Sequence, residues 1–433
     1  MSAFEPVLTR NIKDPSVVSV KGYRAAGGYE GLAKAIKMQP DEIIDQVKKS
    51  GLRGRGGAGF PCGTKWSFIP KDSKKPKYLV CNADESEPGT FKDRLLMEKD
   101  PHQLIEGCAI CCLAVGAKTC YVYIRGEYTF AAGVLERALR DAYESGILGD
   151  SVLGSGVKLD IYVHRGAGAY ICGEETGMLE SLEGKRGQPR VKPPFPALVG
   201  AFGCPTVINN VETLCCVPHI LVRGAEWFKA IGTDERNTGP KLYAVSGHVE
   251  RPGTYELPIG VRFDELLEAC GGMLGGRALK AFIPGGASAP ILPATFRQIP
   301  MDFDSVAKAG SMLGSAAVMV LDETTCIVRS AQRLAKFFAH ESCGQCTPCR
   351  EGTHWAELVL ERIENGHGHA SDPDLMLRMT HNMSGMTICA LSDAAVGPAR
   401  SVITNFRDEV DQHIRERRCP LPRRPIFNHG AAN

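Results

Sequence analysis

Tyr78-Leu-Val-Cys-Asn-Ala-Asp-Glu-Ser-Glu-Pro-Gly89 runs from a short apolar strand, residues 78–81, straight into a loop crowded with carboxylates. Working outward, residues 102–115 form an apolar helix and residues 120–124 a second strand. Residues 128–145 show helical periodicity with charges on the far side, residues 159–163 are a third strand, and residues 169–182 a further helix. Alternation of strand and helix predicts a parallel sheet covered by helices on its faces. Ligands of such sheets sit at the carboxyl ends of the strands, so the loops after Cys81 and Val163 are where chemistry is expected.

On the amino-terminal side, two short helices are expected over 29–37 and 41–49, the second starting at Pro40-Asp41 and stopped by Gly51. Beyond Lys241 the pattern changes. Strands at 242–245 and 253–257, a helix at 263–269, then strands at 281–283 and 316–321 suit a small ubiquitin-like (β-grasp) unit. After about Thr325 the chain reads as helical to near Arg418, with an Arg- and Pro-rich exposed tail over 415–424. The expected architecture is a multidomain α/β protein. A helical segment with a glycine loop spans 1–70, a Rossmann-like parallel-sheet domain 71–238, the β-grasp domain 239–325, and a helical bundle 326–433.

Bulk properties exclude several classes. A formal net charge of +2 over 433 residues gives no field that would draw nucleic acid or anionic lipid. No apolar run is long enough to span a bilayer. The opening MSAFEPVLTR lacks the apolar core of a secretory signal, and early Glu5 and Asp14 argue against a transit peptide. Seventeen cysteines, an odd number, then point to a reducing compartment and not to a disulfide scaffold.

Gly54-Arg-Gly56-Gly57-Ala-Gly59 fits G-x-G-x-x-G, but a helix precedes it, so an ordinary dinucleotide βαβ unit does not follow. Cβ-free backbone still lets a flat ring or a phosphate approach closely, with Lys65 just beyond. The plainer alternative is a surface turn. At the first strand end, Asn82, Asp84, Glu85, Ser86 and Glu87 offer acceptors for ribose hydroxyls and would repel a 2′-phosphate. Carboxylates there also suit Mg²⁺ or acid–base work. Gly166-Ala-Gly-Ala-Tyr170-Ile-Cys-Gly173-Glu174-Glu175 repeats the design after the third strand. Lys192 and Phe195 add a cation and an aromatic face, and Asn209, Asn210 and Thr213 add amides and a hydroxyl. Cys343-Gly-Gln-Cys346-Thr-Pro-Cys349 has the C-x₂-C-x₂-C spacing of an iron–sulfur ligand run and lacks the paired ligands of structural zinc. Spacing alone leaves Cys326, Cys389 and Cys419 all open as the fourth ligand.

Long stretches of this chain resemble the FMN- and NADH-binding subunit of respiratory complex I, and its diaphorase relatives in NAD-linked hydrogenases and formate dehydrogenases. They are the glycine loop within 50–61, Lys65-Trp-Ser-Phe68, residues 81–89, 166–175 and 341–352, in the same order, over about residues 28 to 407. The resemblance implies that Gly54, Arg55, Gly56, Gly57 and Gly59 line flavin and nucleotide. It puts Lys65, Asn82, Asp84, Glu85, Ser86, Tyr170, Gly173, Glu174, Asn209, Asn210 and Thr213 at FMN positions. Phe60 and Phe68 fall beside the adenine, Phe195 at the nucleotide, and Glu87, Glu175 and Lys192 against NADH. Glu175 and Lys65 are the implied catalytic pair, and Thr387-Ile-Cys389 matches the fourth ligand of a [4Fe–4S] cluster held by Cys343, Cys346 and Cys349. Cys62 replaces an expected Thr or Ala. The implied reaction is hydride transfer from NADH to FMN, then single electrons to the cluster and onward toward quinone. The implied partners are a small thioredoxin-like [2Fe–2S] subunit and a larger iron–sulfur subunit. The implied place is peripheral, on the cytoplasmic side of a bacterial inner membrane. A soluble hydrogenase or formate dehydrogenase diaphorase, and a non-enzymatic iron–sulfur or zinc scaffold, are the rival readings.

Overall fold

The computed structural model describes residues 4–421. Four parallel strands, β1 (Tyr78–Ala83), β2 (Thr119–Ile124), β3 (Asp160–Arg165) and β4 (Thr206–Asn210), lie in the order β3-β2-β1-β4. The chain steps outward from β1 through β2 to β3, then returns to the far side of β1 to lay down β4. The direction of winding therefore reverses between β1 and β4, and a doubly wound sheet opens its ligand crevice at the carboxyl ends of such a pair. In register, Cys81 faces Asn209 and Asn82 faces Asn210, so both loops leave the sheet at the same height.

Helix Pro101–Val115 is buried on nearly all sides, which explains its weak amphipathic pattern and its supply of cysteines. It packs with helix Val211–Arg223 on the sheet. The amino-terminal segment joins this core, since Leu32, Val47 and Trp66 share it with Leu79, Cys108 and Val217. The expected helix over 169–182 is interrupted. A 3₁₀ turn at Tyr170–Gly173 leads to an extended Glu174, and helix Glu175–Leu182 starts after it. Glu174 is the cap: its carboxylate accepts the backbone N–H groups of Thr176 and Gly177, each at 2.8 Å. Strand β4 went unread because two of its five residues are asparagine, a poor strand former.

A second, mixed sheet follows: β5 (Pro240–Gly247), β6 (Gly253–Pro258), β7 (Leu279–Ile283), β8 (Leu292–Pro293) and β9 (Ala317–Asp322), in the order β6-β5-β9-β7-β8. The first and last long strands, β5 and β9, pair in parallel at its centre, as the ubiquitin-like expectation requires. Helix Phe263–Ala269 crosses one face, with Phe263 stacked on Phe282 at 3.8 Å between ring centroids. The two-residue β8 was not legible.

Five helices complete the described chain: Ile327–Glu341, Thr347–Glu364, Asp372–Met383, Leu391–Asn405 and Arg407–Glu416. Their core, with Leu360, Ile363 and Val402, is continuous with Ala281 and Ile283 of β7 and with Ile291 just before β8. In the expected tail, Arg415 still belongs to a helix and Arg417 and Arg418 are exposed, while residues 422–424 lie outside the described residues. A parallel sheet, a second sheet and carboxyl-terminal helices thus make up the multidomain α/β fold that the pattern predicts.

Candidate functional site

A cleft of about 540 Å³ opens at the carboxyl ends of β1 and β4. Its walls include the glycine loop, the acidic loop after β1 with the start of the helix that follows it, the turn at Tyr170–Glu174, the end of β4, loops of the second sheet, and helix Leu391–Asn405 with the residues just before it. Gly56 sits where a Cβ would fall 2.9 Å from the Cβ of Asn210, so only glycine lets the loop lie this close to the strand end. Gly57 faces open space.

The acidic loop divides its labour. Asp84 is held in the wall with one carboxylate oxygen buried and without a hydrogen-bond partner among the described residues. Burial pushes its carboxyl up to about 6, against the lowering effect of Ser86. A buried, unsatisfied acceptor costs on the order of 1–3 kcal/mol, which a hydroxyl or N–H from a bound group would recover. Asn82 donates to the Gly173 carbonyl at 2.9 Å and ties the two strand-end loops together. Glu87 accepts from the Tyr170 hydroxyl at 2.7 Å and from Ser288, fixing the ring of Tyr170 at the wall. Ser86, Gly173 and Glu174 also line the cleft.

Glu85 lines it too but is committed elsewhere. Its carboxylate accepts the first N–H groups of helix Lys92–Lys99, from Lys92, Asp93 and Arg94 at 2.9, 2.7 and 2.9 Å, and the Tyr128 hydroxyl. Three other expected ligand residues face away. The Arg55 side chain is fully buried and its guanidinium donates to the Thr238 carbonyl. The Thr213 hydroxyl accepts the Arg55 backbone N–H at 2.8 Å. Asn209 accepts the Trp66 indole N–H at 2.8 Å and donates to Cys62. Arg55 and Thr213 hold the glycine loop from behind, and Asn209 holds the helix Cys62–Ser67 that follows it. Asn210 does reach the cleft, where its amide donates to Asp93 at 2.7 Å. Gly54 and Gly59 shape the loop without lining the cleft; Gly59 has φ of +64° and lies against Phe303. The Cys62 thiol is buried and pushed up to about 12 by that burial, so it stays a neutral packing group.

Beside Glu174, a chain of charges continues the wall. Glu175 pairs with Lys192 at 2.7 Å and with Lys65 at 3.1 Å, and Lys192 also reaches Glu174 at 3.1 Å. Burial works to raise Glu175, but the two lysines outweigh it and hold the carboxyl below its ordinary value. Phe60, Phe68 and Phe195 are about half exposed, and the rings of Phe60 and Phe68 lie 6.1 Å apart. Exposed aromatics of this kind offer faces for a flat heterocycle.

Sequence reasoning missed Lys92, Asp93 and the whole contribution of the second sheet, Gly285, Ser288, Gly314 and Ser315. Lys92, buried between Asp93 (2.8 Å) and Glu212 (2.7 Å), carried a usable signal: a lone cation directly after an acidic loop. The small residues of the second sheet's loops carried none.

Cys343, Cys346 and Cys389 pack around buried Cys349 against one hydrophobic cluster. The Ile388 N–H points at the Cys346 sulfur at 3.4 Å, and Ser342 contacts Cys349 at 3.3 Å. Burial pushes the Cys389 thiol up to about 11, with Cys343 and Cys349 adding to the rise. Keeping such groups together as thiolates requires a cation among them. Cys326 and Cys419 are not here: Cys326 precedes helix Ile327–Glu341 and Cys343 follows it, about 22 Å away at 1.5 Å per residue. The thiol group and the cleft share a wall. Ala390, Leu391, Asp393 and Ala394, immediately after Cys389, line the cleft, and Tyr170 packs on Phe337 at 5.1 Å and on Phe338.

A ligand crevice at a sheet switch point, sharing a wall with a thiol set spaced as in iron–sulfur ligand runs, fits the class of iron–sulfur flavoproteins that transfer electrons from a nucleotide. Three family models match: the Nuo51 FMN-binding domain over 47–219, the SLBB domain over 242–292, and the NADH-ubiquinone oxidoreductase-F iron-sulfur binding region over 329–413. The chain is 58% identical to the second F subunit of the NADH-quinone oxidoreductase of Rhizobium meliloti, across 96% of this chain and 100% of that one. It is 51% identical to the F subunit of the NADH-quinone oxidoreductase of Streptomyces coelicolor, across 96% and 92%. Its fold matches the crystal structure of an NAD⁺-reducing [NiFe]-hydrogenase in the air-oxidized state with a TM-score of 0.81 and 36% identity, covering 98% of this chain and 68% of the other. The chain belongs to the family of NADH-quinone oxidoreductase F subunits, the NADH-oxidising flavoproteins that carry FMN and a [4Fe–4S] cluster.

Proposed function

We propose that this chain is the electron-input subunit of a membrane-bound NADH:quinone oxidoreductase, with the cleft between β1 and β4 as its nucleotide and flavin site. The observation that carries this reading is the shared wall: residues directly after Cys389 line the same cleft as Gly56 and Asp84. FMN, when bound, supplies the conversion between the two-electron chemistry of NADH and the one-electron chemistry of iron–sulfur clusters.

The protein's own part is positioning and shielding. Gly56 and Gly57 let the ring approach the backbone, and Asp84 offers its free oxygen to a hydroxyl of the bound group. Phe60, Phe68 and Phe195 provide stacking faces for the nucleotide at the rim. Lys65 and Lys192 supply positive charge for a diphosphate, while Glu175 holds them in place and limits how strongly they bind it. Glu87 and Tyr170 close the side toward the thiols. No proton relay is needed for hydride transfer, so binding geometry and exclusion of water account for the chemistry. Cys343, Cys346, Cys349 and Cys389 are the proposed cluster ligands.

Among the described residues no helix is long and apolar enough to cross a membrane. A small thioredoxin-like [2Fe–2S] subunit and a larger iron–sulfur subunit of a peripheral arm are the proposed partners, on the cytoplasmic face of the inner membrane. The division into units 1–70, 71–238, 239–325 and 326–433 belongs to the same proposal. The fold match to an NAD⁺-reducing hydrogenase favours a second reading, a diaphorase module of such an enzyme. Affinity purification of the chain from its native membranes separates the two. Co-purifying NADH:quinone activity is expected; co-purifying NAD⁺-linked hydrogen oxidation in the soluble fraction would overturn the first reading.

A further inference from the structure

At the end of the bundle remote from the four thiols above, a second cluster of ligand-type atoms takes no part in the flavin or iron chemistry. Cys326, Glu364, His413 and Cys419 each bring one such atom to a common point, all within 4.8 Å of one another. They come from four places: the turn before helix Ile327–Glu341, the last residue of helix Thr347–Glu364, helix Arg407–Glu416, and the turn after it. The Cys326 sulfur lies 3.3 Å from Glu364 Oε2 and 3.3 Å from His413 Nε2, and those two atoms lie 3.3 Å from each other. A tetrahedral zinc ion with ordinary zinc–sulfur, zinc–nitrogen and zinc–oxygen bonds needs ligand–ligand separations of about 3.3–3.8 Å.

The hydrogen atoms argue in the same direction. His413 Nδ1 is 2.7 Å from the Glu409 carbonyl, which accepts only, so Nδ1 carries a hydrogen and Nε2 is the nitrogen turned to the cluster. Nε2 faces a carboxylate oxygen at 3.3 Å, in a fully buried place. Either a proton or a metal ion must stand between these two atoms, and the two sulfurs converging on the same point provide the rest of a metal ligand set. An imidazole oriented through its other nitrogen by a carbonyl is also how metal-binding histidines are usually held. Arg329 completes the set: its guanidinium donates to Glu364 Oε1 at 2.7 Å and to the Cys419 sulfur at 3.1 Å. Two thiolates and a carboxylate against a divalent ion leave one net negative charge, which Arg329 neutralises.

We propose that Cys326, Glu364, His413 and Cys419 bind a single structural zinc ion. All four positions of a tetrahedron are filled from the chain, which marks a structural and not a catalytic site. The ion cross-links the ends of helices Ile327–Glu341 and Thr347–Glu364, whose other ends carry Cys343 and Cys349. It also anchors the turn after helix Arg407–Glu416 through Cys419. Loading releases the thiol protons of Cys326 and Cys419 to solvent and involves no electron transfer. The zinc site is independent of the electron acceptor and of the flavin site.

The test is metal analysis of the intact, flavin- and iron-loaded protein produced in zinc-supplemented medium. About one zinc per chain is expected beyond the iron. Protein produced with cobalt(II) in place of zinc is expected to show thiolate-to-cobalt charge-transfer absorption. Cys419→Ser, at the most exposed ligand, and His413→Gln are each expected to weaken zinc binding roughly 100-fold or more, the upper end of what changes outside the ligand set cause, while iron and FMN content stay unchanged. Wild-type protein that retains neither zinc nor cobalt after desalting would overturn the proposal. So would zinc content unaltered in both variants, or a Cys326–Cys419 disulfide as the main species in the zinc-supplemented protein.

Discussion

At Gly56 a missing atom makes room for the flavin. A side chain there would collide with Asn210 and project into the cleft, and overpacking of that kind costs about 1–3 kcal/mol. Gly56→Val is therefore expected to weaken FMN retention about tenfold or more, since 1.4 kcal/mol is a factor of ten. Flavin fluorescence after dialysis measures it, and wild-type retention would remove the loop from the site. Glu175 poses the opposite question, because it is a carboxylate where an anionic substrate must bind. Replacing it with Gln frees Lys65 and Lys192 from their common partner. The KM for NADH is expected to fall by up to about fivefold, the scale of roughly 1 kcal/mol for partly exposed charges. An unchanged KM together with unchanged peroxide formation by the reduced enzyme would take Glu175 out of the mechanism. At this scale the motif was partly legible. Asp84 and Asn210 reach the cleft, but Arg55, Asn209 and Thr213 serve as its backing. Nothing in a linear motif distinguishes the face of a loop from its reverse.

Among the elements, helix Val211–Arg223 is the one whose loss would undo the crevice. Its second residue, Glu212, is fully buried and pairs with Lys241 at 2.6 Å and Lys92 at 2.7 Å, while accepting the Leu242 N–H at 2.9 Å. It joins the parallel sheet to β5 and fixes the lysine that lines the cleft. Burial alone would raise Glu212, but Lys241, Lys92 and Arg55 outweigh it and keep the carboxyl ionised. Burial pushes Lys241 down to about 7 even beside Glu212, so Glu212→Ala leaves Lys92 paired with Asp93 alone and Lys241 buried without a carboxylate partner, and is expected to cost about 3–5 kcal/mol in chemical denaturation. A loss under about 1 kcal/mol would mean that the network is dispensable. Strands β1, β2 and β3 were readable because β1 and β2 are short apolar runs between helices and the edge strand β3 keeps the apolar run Ile161-Tyr-Val163. Strand β4 was hidden by its asparagines, and the second sheet's glycine and serine loops gave no periodicity to read. In the bundle, Cys389→Ser is expected to abolish the cluster's EPR signal on reduction and Cys419→Ser to leave it intact; the reverse pattern would exchange their assignments.

Over the whole molecule, the buried acids set how stability answers to pH. Burial pushes Asp100 up to about 7, with a hydrogen bond from Gln103 opposing the rise and Glu106 adding to it. Between about pH 4 and 7 the folded chain keeps a proton that the unfolded chain has released. This group's contribution is therefore fully present below about pH 4 and is lost as pH rises through 7. Asp100→Asn removes that dependence, so its advantage over wild type is expected to grow across the window, to about 4 kcal/mol at most. Denaturation at pH 5 and pH 8 checks it, and a difference that does not vary with pH would contradict it. A cleft built by the parallel sheet and a set of thiols built by the bundle meet at the start of helix Leu391–Asn405, although about 250 residues separate their motifs in sequence. Stepwise anaerobic addition of NADH to the FMN- and iron-loaded chain, followed by optical and EPR spectra, tests that meeting directly. Flavin absorbance should bleach and a reduced cluster signal should grow with it, both reversed by ferricyanide; bleached flavin beside a cluster that stays oxidised would contradict the account.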